Sequence, residues 1–335
     1  MERFNDALKG EPRDRVPIIP MIAGWSAINF SDVPLSEMSQ DPRRIAEAQI
    51  RAMEEIGFDA FFCYADALFV PEAFGCSVHY RETGPIADPI PLSITSIADI
   101  DDLPIPDPRV NGRLAGIHQV VQALSKYSGG NIPVLAAFEG AFTTTCRIFE
   151  PGLILRMIVK DKKALHALLD RVNGFLLEFG RALIENGANV IFLPDPSASA
   201  SMISPSMFRE FVLPRLQKIT SALTVPCILH ICGETGPLLN LMDQSGAKIL
   251  SLDQCMDLAE SRAMVPEAVL GGNVDPINSL LLGTKEQVIQ DTLDCLRKGG
   301  KSRFVLMSGC GVPPGTTVEN LKTMVDTAIQ YGLGL

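Results

Sequence analysis

The stretch V-P-C-I-L-H-I-C-G-E-T-G, residues Val225–Gly236, joins a short apolar run to a glycine turn and places two potential metal ligands at the junction. The run Val225–Ile231 predicts a buried β-strand that ends at Gly233, with a helix following. Successive side chains of a strand point to opposite faces, so His230 and Cys232 should point the same way at its carboxyl end. An imidazole and a thiol side by side at the end of a strand form half of a zinc site.

A second stretch of the same kind lies far downstream. It is F-V-L-M-S-G-C-G-V-P-P-G (Phe304–Gly315), in which another buried strand runs into glycine at Cys310. A catalytic zinc is bound tetrahedrally and keeps one position open for water or substrate, which three ligands from His230, Cys232 and Cys310 would leave. Two thiolates and a neutral imidazole cancel the charge of Zn²⁺, and a thiol that binds there still loses its proton. Such a site favours alkyl transfer to sulfur over hydrolysis.

A single His-x-Cys pair is a weak signal by itself. Cysteine is commonly buried as a small apolar residue, so the three thiol and imidazole side chains could also be packed without a metal. We interpret the following cysteines as packed in this way: Cys63, Cys76, Cys146, Cys227 and Cys295.

Composition limits the class of protein. The chain has 335 residues, of which 47% are hydrophobic and 20% charged, and this balance supports a sizeable core. A net charge of −10 without a basic cluster disfavours nucleic acid or an anionic membrane as partner. No apolar run approaches the roughly 20 residues that span a bilayer, and the N-terminal M-E-R-F-N-D-A-L lacks the apolar core of a signal peptide. With its eight irregularly spaced cysteines, the chain is expected to be cytoplasmic.

Apolar runs alternate with helical stretches along the whole chain. The predicted strands are Arg15–Ile22, Phe58–Tyr64, Pro133–Phe138, Asn189–Leu193, Val225–Ile231, Lys248–Leu252, Ala268–Gly272 and Arg303–Ser308. The predicted helices cover about residues 42–56, 110–127, 161–186, 204–222, 284–298 and 317–331. Residues 71–110 contain many prolines and little periodicity, which predicts an excursion from the main frame that ends in the acidic stretch Asp99–Pro108.

Eight strands that alternate with helices predict a (β/α)8 TIM barrel, formed as a single domain by residues 1–335. A doubly wound open sheet is the alternative. The strand count favours the barrel, as does the lack of a glycine-rich phosphate loop after the first strand.

Polar side chains follow the predicted strands in a regular way, and in a barrel such positions converge on the carboxyl-terminal mouth, where active sites lie. These residues are Asp66, Glu139, Asp195, His230, Cys232, Asp253, Asn273, Asp275 and Cys310. Besides the three metal-ligand candidates, Asp253 and Asp66 are candidates for catalysis. The candidates for substrate binding are Asn273, Asp275, Asp195 and Glu139. A strand-end cap for Asp66 and loop-shaping roles for Asn273 and Asp275 are the alternatives.

Four motifs are shared with a known family: Y-A-D-A-L-F-V-P-E-A-F-G (Tyr64–Gly75), H-I-C-G (His230–Gly233), G-G-N-V-D-P (Gly271–Pro276) and S-G-C-G-V-P-P-G-T (Ser308–Thr316). Through them the chain, from Arg15 onward, resembles the uroporphyrinogen decarboxylase superfamily, which folds as a (β/α)8 barrel. Its decarboxylase branch holds the substrate carboxylates with arginines in an R-Q-A-G-R segment after the first strand. Here the matching segment is P-M-I-A-G-W (Pro20–Trp25), without arginine, which disfavours decarboxylation of a polyanionic porphyrinogen.

The other branch comprises the methylcobamide:coenzyme M methyltransferases. Their signature of His-x-Cys and a distant Cys, which holds a catalytic zinc, is similar to His230, Cys232 and Cys310. The resemblance implies that zinc activates a small thiol such as coenzyme M, which takes a methyl group from a methylcobamide carried by a partner corrinoid protein. Tetrahydrofolate and homocysteine are alternative acceptors. A decarboxylase-like carboxy-lyase and a non-catalytic corrinoid- or tetrapyrrole-binding protein are the alternative functions.

The resemblance also bears on a fourth zinc ligand and on Asp66. In the coenzyme M enzymes an acidic residue after the sixth strand can complete the zinc shell, and the segment here is L-D-Q-C (Leu252–Cys255). Asp253 is favoured as an exchangeable ligand or as a partner of one, Gln254 is a poor ligand, and Cys255 would close the site. Asp66 matches an aspartate that the decarboxylases place on pyrrole nitrogens, so it could face the corrin or a polar group of the substrate.

Overall fold

The computed structural model describes residues 1–11, 14–80, 87–92 and 103–333. Its strands are β1 Phe61–Phe62, β2 Ser77–Tyr80, β3 Ala87–Ile90, β4 Val134–Ala137, β5 Val190–Pro194, β6 Cys227–Ile231, β7 Ile249–Leu252, β8 Val269–Val274 and β9 Phe304–Ser308. Seven of them form one parallel sheet in the order β1-β4-β5-β6-β7-β8-β9. The sheet therefore follows chain order, as a barrel requires.

The gap between β9 and β1 is closed by an extended segment around Ile18. Ile18 forms a parallel bridge with Leu306 of β9, and the Ile19 N–H donates to the Leu306 carbonyl at 2.8 Å. On its other side the Ile18 carbonyl accepts the N–H of Asp59 at 2.8 Å, just before β1. This segment takes the place of the predicted strand that comes first in the chain, and it completes the barrel. The predicted TIM-barrel architecture is confirmed.

The first strand is shorter than Arg15–Ile22, the range that the sequence predicts. Pro17 and Pro20 have no N–H to donate, so the ladder cannot extend along this segment. The helix that follows begins directly afterwards, at Ala23.

The helices surround the sheet on its outer face. They are α1 Glu2–Lys9, α2 Ala23–Asn29, α3 Leu35–Met38, α4 Pro42–Ile56, α5 Phe69–Ala73, α6 Leu114–Ser128, α7 Ala141–Ile148, α8 Pro151–Lys160, α9 Lys162–Glu185, α10 Pro205–Met207, α11 Leu213–Ala222, α12 Leu239–Asp243, α13 Leu258–Met264, α14 Lys285–Gly299 and α15 Val318–Leu333. Helix α4 has the predicted bounds, because Asp41 caps its first turn and Gly57 ends it in a left-handed conformation with φ 87°. The predicted helix over 204–222 is divided: a π-helical turn, Phe208–Val212, lies between α10 and α11.

The predicted excursion lies outside the barrel sheet. Strands β2 and β3 pair with each other in an antiparallel hairpin and not with the other strands. Residues 81–86 and 93–102 lie outside the described ranges, so the first part of the predicted exit Asp99–Pro108 does as well.

Aromatic side chains fill the barrel below its mouth, which we define as the carboxyl-terminal ends of the sheet strands. Phe62 of β1 meets Phe192 of β5 edge to face, with ring centroids 5.6 Å apart. These strands are separated in the sheet by β4, so the two rings meet inside the barrel. Phe192 in turn stacks on His230, with centroids 6.1 Å apart and planes 20° apart. His230 therefore rests on a packed aromatic floor.

None of the helices in the described ranges combines the length and apolar character that a membrane crossing requires.

Candidate active site

Three side chains that could bind a metal meet at the mouth of the barrel. The ligand atoms of His230, Cys232 and Cys310 all lie within 4.8 Å of one another. Cys232 Sγ is 3.3 Å from His230 Nε2 and 3.7 Å from Cys310 Sγ. His230 is on β6 and Cys310 follows β9, and two strands lie between β6 and β9 in the sheet. The curvature of the barrel thus brings together the three residues that the sequence singled out.

His230 is held at its edge and on its face. Its Nδ1 lies 3.1 Å from Ser251 Oγ and 3.3 Å from the Ser251 carbonyl oxygen, on the adjacent strand β7. The face of the ring stacks on Phe192. Together these contacts direct Nε2 toward the two thiols.

The turn that follows Cys232 is held by Asp253. One carboxylate oxygen accepts the Gly233 N–H at 2.8 Å and the other accepts the Cys255 N–H at 3.1 Å. The amide of Asn273 donates to the Asp253 carbonyl at 2.8 Å and so holds the same loop from below. Asp253 is buried and both of its oxygens have backbone partners, which places it beside the thiols as a support for their loop.

Ser308 holds the backbone at Cys310 by hydrogen bonds in a similar way. Its hydroxyl donates to the Cys310 carbonyl at 2.7 Å and accepts the Met21 N–H at 2.9 Å. At Gly309, between them, a Cβ would lie 2.5 Å from the backbone nitrogen of Gln254, so only glycine allows the β7 and β9 loops to approach this closely.

The two thiols differ in acidity. A hydrogen bond from the neighbouring Cys232 thiol lowers the pKa of Cys310 below that of an ordinary thiol, although burial opposes this shift. The same hydrogen bond and burial raise the pKa of Cys232. Of the two thiols, Cys310 therefore loses its proton more readily.

Among the described residues, no fourth side chain joins this group. Neither Asp253 nor Cys255 belongs to the set of ligand atoms within 4.8 Å of each other, and Cys255 is exposed.

Glu139 lies buried after β4 and pairs with an arginine. Arg147 of α7 donates to both of its oxygens, one of them at 2.7 Å. Burial raises the pKa of Glu139, and Arg147 opposes that rise. The negative charge of Glu139 also helps to raise the pKa values of Cys232 and Tyr64.

Asp195, directly after β5, is wholly buried. Its Oδ1 accepts the N–H of Thr143 at 2.9 Å and also the Thr143 hydroxyl, while Oδ2 has no hydrogen-bond partner in the described part of the chain. A Cβ on Gly140 would lie 2.3 Å from that oxygen. Burial raises the pKa of Asp195 to about 7, although the hydrogen bonds from Thr143 oppose this rise.

Asp66 lies in a buried ion cluster. Arg113, at the start of α6, donates to its two oxygens at 2.6 and 3.0 Å and also contacts Glu72. Both oxygens of Asp66 are therefore engaged by protein. Asp275 caps the π-helical segment Pro276–Leu281 by accepting two backbone N–H groups, which is the loop-shaping geometry.

Four residues of the site region were not predicted from the sequence: Ser251, Ser308, Arg113 and Arg147. For the two serines a signal was present, since Ser251 precedes Asp253 by two positions and Ser308 precedes Cys310 by two. Residues two apart on a strand point to the same face of the sheet. Each serine is therefore expected on the same face as the candidate residue that follows it.

Comparison with known proteins agrees with this geometry. The family model for uroporphyrinogen decarboxylase (URO-D) matches residues 1–331. The chain belongs to the uroporphyrinogen decarboxylase family.

Within this family the chain resembles both branches along its whole length. It is 29% identical to the methylcobamide:CoM methyltransferase MtbA of Methanosarcina mazei, over 98% of this chain and 97% of that protein. It is 25% identical to the uroporphyrinogen decarboxylase of Myxococcus xanthus, over 100% of this chain and 97% of that protein. A solved structure described as a methyltransferase from Methanosarcina mazei superposes with a TM-score of 0.90 at 26% identity, covering 98% of each chain. These matches confirm the resemblance to the methyltransferase branch.

Proposed function

We propose that this protein is a zinc-dependent methyltransferase that moves a methyl group from a methylated corrinoid protein to a small thiol such as coenzyme M. The observation that carries the proposal is the meeting of His230, Cys232 and Cys310 at the barrel mouth, with their ligand atoms within 4.8 Å of one another. The similarity to a methylcobamide:CoM methyltransferase over nearly the whole chain supports the same activity.

The donor set fits zinc. One imidazole nitrogen and two sulfurs are the ligands that zinc prefers, and three protein ligands leave a fourth position for substrate. His230 is buried, while Cys232 and Cys310 are half-buried, so the sulfurs lie on the accessible side of the group. His230 Nε2, Cys232 Sγ and Cys310 Sγ would hold the ion. A zinc ion bound there supplies the Lewis acidity that lowers the pKa of a substrate thiol near neutral pH.

The chain itself contributes position and charge. Ser251, Asp253 and Ser308 each hold the segment of one proposed ligand, so little reorganisation is needed when a metal and a thiol bind. In the transfer, the sulfur–methyl bond forms as the methyl–cobalt bond of the partner breaks, and cobalt keeps the bonding electrons. The partner must therefore dock over the barrel mouth.

The other acidic residues receive supporting roles in this proposal. Glu139 and Arg147 form a neutral pair beside the thiols, and we propose that they shape the substrate side of the mouth. Asp195, Asn273 and Asp275 are proposed to fix the loops around it. Contact of Asp66 with substrate or corrin stays a prediction, and an unchanged KM of Asp66→Asn for both methylcobalamin and the thiol would contradict it. We also propose that residues 1–335 act as one barrel domain.

Metal analysis and a methyl-transfer assay test the proposal together. We expect about one zinc per purified chain, the stoichiometry of a site with one tetrahedral ion. Mixed with methylcobalamin and coenzyme M, the protein should consume the methyl–cobalt bond and produce a thioether, and metal-depleted protein should lose this activity until zinc is restored. Zinc-free protein with a porphyrinogen-dependent release of carbon dioxide would instead establish the carboxy-lyase alternative. If zinc is bound but no thiol or methylcorrinoid is turned over, the result would favour the non-catalytic corrinoid-binding alternative.

A further inference from the structure

We infer that Ser251 is a positioning residue that fixes which nitrogen of His230 is available as a metal ligand. The inference rests on the proposed zinc site and deepens it. Ser251 is fully buried on β7, directly opposite His230 in the sheet register, and contacts His230 Nδ1 through both its hydroxyl and its carbonyl oxygen.

The carbonyl oxygen decides the direction of this interaction. A carbonyl can only accept, so the 3.3 Å contact is a hydrogen bond when Nδ1 carries the hydrogen, and we infer this tautomer. Nδ1 is then a donor, and its hydrogen also lies within reach of the hydroxyl oxygen at 3.1 Å. Nε2 is left as the nitrogen whose lone pair can bind a metal, and it is the nitrogen that faces Cys232 at 3.3 Å.

The surroundings of Ser251 explain why a small polar side chain stands here. Gly271 is the neighbour of Ser251 in the register of β8, and a Cβ at Gly271 would lie 2.6 Å from Met307 Sδ. The interior beside Ser251 is therefore filled, and the His230 ring is confined between Phe192 on its face and Ser251 at its edge. Rotation of the ring would break the Nδ1 hydrogen bonds and turn Nε2 away from the thiols.

A hydrogen bond of this kind to a ligating histidine contributes to metal affinity. Loss of such a partner typically lowers metal affinity by about 10- to 100-fold. Ser251→Ala removes the hydroxyl and keeps the carbonyl, so we expect roughly a tenfold loss of zinc affinity, at the lower end of that range.

The matched control is Ser261→Ala. Ser261 is also buried, on α13, and its hydroxyl has no hydrogen-bond partner in the described part of the chain. Both variants remove one buried hydroxyl, but only one of them touches a proposed ligand. Ser251→Thr is the conservative variant: it keeps the hydroxyl but adds one methyl group, so its metal-free unfolding midpoint is also compared with that of wild type.

The experiment measures zinc affinity by competition with a chromophoric chelator, starting from metal-depleted full-length protein. Thermal unfolding of the same metal-free samples is the second measurement. We expect Ser251→Ala to bind zinc roughly tenfold more weakly than wild type and Ser261→Ala. We expect Ser251→Thr to bind within about threefold of wild type, since the hydrogen bond is kept. Without metal, Ser251→Ala should unfold at a slightly lower temperature than Ser261→Ala, because only Ser251 loses a hydrogen bond, and this difference should be too small to account for a roughly tenfold loss of zinc affinity.

Three results would overturn the inference. Equal zinc affinity in Ser251→Ala and Ser261→Ala would show that the hydroxyl does not position the ligand. Loss of affinity in Ser251→Thr as large as in Ser251→Ala, with a metal-free unfolding midpoint equal to that of wild type, would show the same. A fall in metal-free stability of Ser251→Ala large enough to account for its weaker zinc binding would assign Ser251 a structural role only. Wild-type protein without zinc affinity would remove the proposed function itself, which is a distinguishable outcome.

Discussion

The sulfur atoms of Cys232 and Cys310 lie 3.7 Å apart, although the two residues are 78 positions apart in the chain. The strands that precede them are not neighbours in the sheet, so the barrel's closure sets this distance. Because the backbone around each sulfur is held by a separate hydrogen bond, from Gly233 to Asp253 and from Ser308 to Cys310, the pair is preformed. A metal ion can bind without movement of the strands.

Cys310→Ser should therefore abolish tight zinc binding without unfolding the barrel. Removing a ligand should cost more than the roughly 10- to 100-fold that loss of an outer hydrogen-bond partner costs. Zinc content after dialysis against a chelator measures the effect. The control is Cys255→Ser, because Cys255 is an exposed cysteine outside the ligand group and should keep its zinc. Equal zinc loss in both variants would mean that Cys255 is also a ligand, and unchanged zinc in Cys310→Ser would remove Cys310 from the site.

The Asp253→Asn variant tests whether Asp253 is a zinc ligand or only supports the loop that carries Cys232. An amide has one acceptor oxygen, so either the Gly233 or the Cys255 N–H loses its partner and faces an NH₂ group. We expect a loss of about 1–3 kcal/mol in the free energy of unfolding, measured in urea. We also expect zinc affinity to fall by about 10- to 100-fold while saturating zinc still binds one ion per chain.

A matched control for this variant lies in the same loop. Asp257 caps α13 by accepting the N–H groups of Ala259 and Glu260, away from the proposed ligands. Asp257→Ala removes this cap and should lower the free energy of unfolding by about 1 kcal/mol without lowering zinc affinity. A protein with Asp253→Asn that is fully stable, yet binds no zinc at saturation, would identify Asp253 as a ligand.

Strand alternation located much of this site from sequence. It placed His230 and Cys232 on one face at the end of β6, and the same rule applied to β7 would have placed Ser251 beside Asp253. The predicted first strand was too long. Pro17 has no N–H to donate to a neighbouring strand, so the sequence already contained the signal for a shorter one.

Other contacts depend on tertiary packing that local patterns do not contain. Arg113 meets Asp66 across 47 positions of sequence, after a stretch with little periodicity. Nothing in the spacing of these residues predicts their pairing, since it arises only when α6 packs beside the loop that follows β1. The supporting ion pairs of a barrel are therefore much harder to predict than the strand-end ligands.

Arg113→Met should be strongly destabilising. The side chains of Arg113 and Asp66 are 7% and 8% exposed, so removal of the cation leaves a buried carboxylate with only the Leu68 N–H as partner. We expect a loss of about 3–5 kcal/mol in the free energy of unfolding. Adding Asp66→Asn should recover part of it, with a coupling of about 0.5–3 kcal/mol in the double-mutant cycle. Strictly additive losses, measured by urea denaturation, would show that the pair does not act as a unit.

The approach of Gly140 to Asp195 yields the final prediction. A Cβ at Gly140 would lie 2.3 Å from Asp195 Oδ2, so Gly140→Ala should cost about 1–3 kcal/mol through overpacking. Asp195→Ala leaves the Thr143 donors without an acceptor, but it also vacates the space that the new methyl group needs. The double variant should thus lose about 0.5–3 kcal/mol less than the sum of the single losses. Gly174→Ala, in α9 with nothing within 4 Å of its Cβ position, is the control and should be neutral or stabilising by up to about 1 kcal/mol. Additive losses would mean that the loop after β4 can move away from Asp195, and that this contact does not hold the substrate side of the mouth in place.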